Sequence, residues 1–316
     1  MPIYNLAYEK IKTAKKILIA GHKNPDADAL AAIGIIVEVA LSLKKEVFVL
    51  AKNKDEGSLS FLPHVEMVSA ELPVDFNYQS FDLLITLDCG SLSRTGLEEF
   101  ITAPGDQPFI IEFDHHLAVD NYADLSIKQP ELSSTTEILY NFLRANNLSL
   151  NKNIATCLLT GILDDTGNFL YPATTDNTVR IVSEALSAGA SLPKIIRLSK
   201  QAKDLLTMKI WGVAIEKLKI NERYQIAVAY LDKKTLLEIS NAENLDELPS
   251  DVFGDIAGFF GNLSGVKASI LLRDAESGEI KASLRSSNRK INLTRLARLY
   301  GGGGHAQASG FTFMGE

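Results

Sequence analysis

Apolar positions in this chain come as short solid runs separated by longer periodic stretches, and that rhythm sets the expected fold. Residues 17–20 (Ile-Leu-Ile-Ala), 46–50, 65–68, 83–87 and 109–113 read as buried strands. Lys10 to Lys16 closes a short polar helix ahead of the first strand. Residues 29–43 are almost wholly apolar, as in a helix packed on a sheet. Ser133-Ser134-Thr135 supplies cap chemistry for a helix over 136–143. A further helix over 153–163 breaks at Asp164-Asp165-Thr166-Gly167, and one over 175–188 has Asp176 or Asn177 as its cap and Gly189 at its end. Strands alternating with helices predict a largely parallel sheet with crossover helices.

Near 190–197 the pattern loosens around Pro193, a charged helical stretch over 201–218 follows, and the domain boundary is expected around 190–203. The expected division is therefore a first domain at 1–190, a helical linker at 191–218 and a second domain at 219–316. In the second, 224–230 reads as a strand and 252–260 as a helix. Residues 266–273 and 280–286 read as a hairpin about Glu276-Ser277-Gly278-Glu279. Asn292 caps a helix to Tyr300; Gly301 to Gly304 and His305 then precede a last strand at 308–313. The fold class is α/β: a mostly parallel sheet domain joined to a smaller α/β domain.

Composition narrows the partners. The 316 residues hold 46% hydrophobic side chains, enough for two cores, and no apolar run of eighteen, so no transmembrane helix is expected. The first residues lack a signal-peptide pattern, and Cys89 and Cys157 alone do not suggest a disulfide framework; a cytoplasmic location is expected. A net charge of −7 argues against wrapping long nucleic acid, but not against a short anionic substrate held at a metal.

The chemistry gathers where strands end. Gly21-His22-Lys23-Asn24-Pro25-Asp26-Ala27-Asp28 follows the first strand, Asp88-Cys89-Gly90 the fourth and Asp114-His115-His116 the fifth. In open α/β sheets ligands bind at such carboxyl ends. First-turn helix acids are the competing reading of Asp26 and Asp28, which recurrence at three strand ends weakens. Carboxylates crowded together need a cation among them. His22, Asp26, Asp28, Asp88, His115 and one acid of the Asp164-Asp165 turn make six oxygen and imidazole donors without thiolate. That set suits Mn²⁺, Mg²⁺, Fe²⁺ or Co²⁺, and its number suits a pair of ions sharing a carboxylate. Asp114 reads as a group orienting the imidazoles, His116 as a ligand or a partner for a phosphate oxygen, and Cys89 as a small buried side chain. Residues 280–300 carry Lys281, Arg285, Arg289, Lys290, Arg295 and Arg298 without an acid. They abut the glycine run, where bare backbone can approach a phosphate.

These four motifs, with Asp165-Thr166-Gly167 as the last, resemble those of the DHH phosphoesterase superfamily, and Gly301 to His305 resembles the signature of its associated C-terminal domain. Within the superfamily the chain looks most similar to the group acting on short oligoribonucleotides and 3′-phosphoadenosine-5′-phosphate. The resemblance implies two Mn²⁺, one held by His22, Asp26 and Asp88, the other by Asp28, Asp88, His115 and Asp165. It favours Asp165 over Asp164, sets Asp88 and Asp114 beside a His116 that meets the scissile phosphate, and gives nucleotide contacts to Arg285, Ser286, Gly303, Gly304 and His305. Ala306-Gln307 depart from the Pro or Arg more familiar after that histidine. The implied partners are short single-stranded RNA or a mononucleotide in a cleft between domains, with no membrane and no long duplex. A homodimer is left open. Rival expectations are a phosphodiesterase of linear dinucleotides or cyclic di-AMP, and a nucleotide-sensing module without catalysis.

Overall fold

The computed structural model describes residues 1–316 other than 55, 56, 58, 118, 119, 201–204, 244–250, 276, 277, 289 and 316. The chain forms two units, Met1–Ala202 and Lys203–Glu316. In the first, β1 (Lys16–Gly21), β2 (Glu46–Leu50), β3 (Val68–Ser69), β4 (Leu83–Leu87), β5 (Phe109–Asp114) and β6 (Leu125–Lys128) build one sheet in the order β3-β2-β1-β4-β5-β6. Every pairing in it is parallel. The order reverses between β1 and β4, where Gly21 stands opposite Leu87. At such a reversal the crossovers leave the sheet in opposite directions and open a crevice at the carboxyl ends.

Helices α1 (Ile3–Thr13), α2 (Ala27–Ser42), α3 (Glu98–Ile101), α4 (Thr135–Ala145), α5 (Lys152–Asp165), α6 (Asp176–Ser187) and α7 (Leu192–Lys200) complete this unit. Strands β1, β4 and β5 are buried on both faces, which explains their unbroken apolar runs. The helix α2 is buried nearly all round because α5 covers the side away from the sheet.

The expected elements are present with adjusted ends. Residues 65–68 form one 3₁₀ turn, Val65–Met67, and only Val68–Ser69 pairs with β2. The short, half-polar edge strand β6 was outside the expected set. Thr175, not Asp176 or Asn177, caps α6, in a reciprocal box with Thr178. The expected linker 191–218 is two helices: α7 sends Ile195 into the core of the first unit, while α8 (Leu205–Glu216) sends Leu206, Ile210 and Ala214 into that of the second. Its residues 201–204 lie outside the described residues.

The second unit carries a mixed sheet in the order β11-β12-β10-β9-β8-β7. Its strands are β7 (Lys219–Asn221), β8 (Ile226–Leu231), β9 (Ala268–Asp274), β10 (Glu279–Arg285), β11 (Gly303–Gly304) and β12 (Ala308–Met314). Helices α8, α9 (Lys233–Glu243) and α10 (Asp251–Phe260) go with one apolar cluster, and α11 (Thr294–Leu299) with another. The hairpin β9–β10 is antiparallel as expected, its turn residues 276 and 277 lying outside the described residues. Asn292 Oδ1 accepts from the Thr294 N–H, 3.1 Å. The glycine run is built in, not slack. Gly303 and Gly304 pair with β12, and a Cβ on Gly302 would fall 2.1 Å from the Gly310 carbonyl oxygen.

Candidate metal centre

The loop leaving β1 is pinned on both sides, because Lys23 N donates to Arg94 O (2.8 Å) and Asn24 N to Lys52 O (2.9 Å). His22 Nδ1 donates to the Lys23 carbonyl, 2.8 Å, which turns the lone-pair nitrogen Nε2 inward. There it lies 3.5 Å from Asp26 Oδ2 and 3.8 Å from Asp88 Oδ2. Asp26 serves two ends at once: its Oδ1 caps α2 by accepting from Ala29 N, while Oδ2 faces the imidazole. The competing helix-cap reading of Asp26 is therefore true of one oxygen only.

Asp28 is fully buried, and its two oxygens accept from Thr135 N (2.7 Å) and Thr136 N (3.1 Å) at the start of α4. Asp88 ends β4 in the left-handed region at φ 59° and stands amid three imidazoles. Its Oδ1 lies 3.4 Å from His115 Nε2 and 3.4 Å from His116 Nδ1, and it accepts from the Thr135 hydroxyl. His115 Nε2 is also 3.2 Å from Asp165 Oδ2, at the end of α5. Asp164 beside it is exposed. Asp114, fully buried, accepts from His116 N, from His116 Nδ1 (both 2.8 Å) and from Gly90 N (2.6 Å).

All the expected N-terminal site residues thus converge on the crevice between β1 and β4. Among the described residues of the first unit, ligand atoms within 4.8 Å of one another form three sets: His22, Asp26 and Asp88; Asp28, Asp88 and His115; and Asp88, Asp114 and His116. Asp88 belongs to each of these three. The electrostatics of these groups suit a cation held among them. Burial, then the neighbouring carboxylates, push Asp28 and Asp165 far above the ordinary carboxyl range. Burial opposes charge on His116, but its contacts to Asp114 and Asp88 win and raise it to about 10. Burial likewise opposes the Asp114 charge, and His116 with the two backbone N–H groups holds it down at about 2. Burial, helped by the neighbouring His116 charge, keeps His115 low against the pull of Asp88, suiting a neutral ligand. His22 Nε2 and Asp165 Oδ2 are buried without a hydrogen-bond partner among the described residues. Such atoms cost free energy unless something ligates them, and a divalent cation fits the donor set.

Two contributors escaped the sequence reading. Thr135 was expected only as cap chemistry, yet its N–H and hydroxyl hold Asp28 and Asp88. Arg94 follows a short turn after β4, and its Nη1 lies 3.1 Å from the point where a Cβ on Gly90 would fall, with His116 Cγ 3.4 Å from the same point. Gly90, at φ +70°, is what allows this approach. Among the described residues no carboxylate pairs with Arg94. Its spacing from Asp88 was visible, but an arginine six residues past a ligand signals nothing until the turn closes.

In the second unit, Ser286 Oγ donates to Lys267 O and accepts from Asn288 N, so it builds the turn after β10. His305 closes a turn with Ala308, and Ser309 Oγ donates to its carbonyl. Arg285 and Gly303 border a cavity of about 330 Å³. Lys290, Arg295 and Arg298 are exposed, and Arg289 lies outside the described residues.

A parallel sheet with acids and imidazoles at its point of reversal, joined to a mixed-sheet unit with a glycine-rich strand, defines a phosphoesterase class. The DHH family N-terminal domain matches residues 16–162, and the DHHA1 domain matches 201–316. The chain belongs to the DHH phosphoesterase family, hydrolases of phosphoester bonds. It is 30% identical over 98% of its length to the probable bifunctional oligoribonuclease and PAP phosphatase NrnA of Streptococcus mutans, 93% of which is covered. The bifunctional oligoribonuclease and PAP phosphatase NrnA of Bacillus subtilis is 27% identical, with 93% of this chain and 88% of that one covered. The crystal structure of an exopolyphosphatase-related protein from Bacteroides fragilis superposes with a TM-score of 0.83 at 27% identity, covering 99% of this chain and 92% of that one.

Proposed function

We propose that this enzyme hydrolyses short oligoribonucleotides and 3′-phosphoadenosine-5′-phosphate at a two-metal centre, with Mn²⁺ as the working ion. The relatives at 27–30% identity support the substrate class. The placement of Asp88 within reach of three imidazoles carries the reading, since one carboxylate common to the three ligand sets of the first unit is what a shared ion pair needs. His22, Asp26 and Asp88 would hold one ion; Asp28, Asp88, His115 and Asp165 the other. When bound, the ions supply Lewis-acid polarisation of the phosphoryl group and acidify water.

The chain's own groups supply position and charge. His116, kept protonated by Asp114, donates to an oxygen of the scissile phosphate, and Arg94 offers a second cation as negative charge develops there. Arg285, Gly303, Gly304 and His305 contact the nucleotide, and Ser286 holds the turn that presents them. A panel of di- to pentaribonucleotides, 3′-phosphoadenosine-5′-phosphate, linear dinucleotides and cyclic di-AMP, assayed with Mn²⁺, tests this. Short RNAs and the bisphosphate should turn over fastest, with Arg94→Ala lowering kcat about 100-fold at unchanged metal affinity. Turnover of cyclic di-AMP alone, or tight nucleotide binding with none, refutes the assignment.

A further inference from the structure

The cavity in the second unit has two ends. Lys281, Ser283 and Arg285 follow one another at alternate positions of β10 and so share one face of the sheet. Gly303, Ala308, Ser309 and Gly310 keep the floor low, and Phe253 at the start of α10 forms a wall. Arg285 is the end already assigned to the nucleotide. At the other end Lys281 stands directly opposite Arg273 on β9.

Two cations opposite one another on neighbouring strands destabilise a sheet, so the pairing calls for a counter-charge. The chain does not provide one among the described residues, where neither Arg273 nor Lys281 has a carboxylate partner. The acid next in sequence, Asp274, is spent elsewhere, accepting from Tyr230 OH and Lys233 N at 2.6 Å each. Arg273 is half-buried with its guanidinium 4.4 Å from the Phe253 ring centroid, so it is held in place; Lys281 is exposed at the rim. Burial lowers the pKa of Arg273; for Lys281, which keeps solvent contact at the rim, partial burial and then the Arg273 charge lower it. An arriving anion would relieve that repulsion.

We infer that Arg273 and Lys281 form a second phosphate seat, at the far end of the groove from Arg285. Four residue steps along the strand separate Lys281 from Arg285, about 13 Å, more than one phosphate can span. The fitting ligand carries two phosphates held apart by a nucleoside: a nucleoside bisphosphate, or a short oligonucleotide with a terminal phosphate. The inference rests on the nucleotide reading of Arg285, and it explains a preference for short, end-phosphorylated substrates. A free polyphosphate presents the same oxygens and is the other source of such a ligand.

Calorimetric titration of the full chain without divalent metal tests the seat, using 3′-phosphoadenosine-5′-phosphate, adenosine 5′-monophosphate and inorganic triphosphate as probes. Lys281→Gln and Arg273→Gln should each weaken bisphosphate binding about tenfold and reduce its log–log salt slope by about one, while Lys281→Arg retains both. Monophosphate binding should change less than twofold. Lys281→Gln should also leave Tm unchanged or raise it at low salt, as expected of a removed repulsion and not of lost packing. Bisphosphate affinity within twofold of wild type in both neutral variants overturns the seat. Weakened triphosphate with unchanged bisphosphate binding assigns the cations to free polyphosphate and overturns the substrate seat. Absence of turnover across the substrate panel sinks the proposed function instead, and the metal-free titration still reads this site.

Discussion

Asp88 holds its place in a backbone conformation that most side chains avoid, and among ordinary residues aspartate and asparagine tolerate it best. Asp88→Asn therefore keeps the turn and shape while removing the charge. Hydrolysis should fall at least 100-fold with the Tm of the metal-free protein retained, whereas Asp88→Ala adds a left-handed penalty of about 1–2 kcal/mol, measurable by denaturant titration. The crowding also sets a pH dependence. Asp28 and Asp165, raised in the folded protein, bind protons there that the unfolded chain has released above about pH 4. His116, raised to about 10, contributes stability that is full below its unfolded value and lost as pH climbs through 10. Asp114, held at about 2, contributes stability present above its unfolded value and lost only as pH falls towards 2. Between about pH 7.5 and 9 the first three act in one direction, Asp114 is constant and His115, held low, no longer differs in protonation between the folded and unfolded states, so metal-free Tm should fall as pH rises there. Saturating Mn²⁺ should flatten that slope and release protons on binding, read by titration in buffers of different ionisation enthalpy. A Tm that rises with pH over that range in metal-free protein would contradict the assigned proton positions.

At the level of elements, the site is three helix ends brought to three strand ends. The junction of α2, α4 and α5 is tight because α5 offers Gly161, where a Cβ would lie 2.3 Å from Asp28 Oδ1 and 2.6 Å from the Thr136 side chain. Alanine is the better helix former by about 1 kcal/mol, yet overpacking here costs about 1–3 kcal/mol. Gly161→Ala should therefore destabilise on balance and weaken metal binding by displacing Asp28; a stabilised variant with normal activity would show that the helices yield. From sequence, Gly161 reads only as a weak point in a helix. Partners as distant along the chain as Thr136 and Asp28 give a glycine no local signature. For the same reason β6, four residues at a sheet edge with alternating polarity, stood below the signal that marked its buried neighbours.

On the scale of the molecule, two compact units, each with its own apolar clusters, predict two unfolding events. Ligand bound only to folded protein adds about 2.7 kcal/mol at a hundredfold excess over Kd, so Mn²⁺ should raise the calorimetric transition of the first unit and leave that of the second in place. A single transition moved as one would mean that the units unfold together. Among the described residues no helix is long and apolar enough to cross a membrane. The strand runs, the α/β class and the donor types at each strand end were legible in the amino-acid order, because burial on both faces and turn chemistry act over a few residues. The convergence of those donors on Asp88, the inward turn of His22, the place of Arg94 beside Gly90 and the facing of Lys281 with Arg273 were decided only by folding. Each depends on strand order and register, which arise from packing between segments that the linear chain keeps far apart.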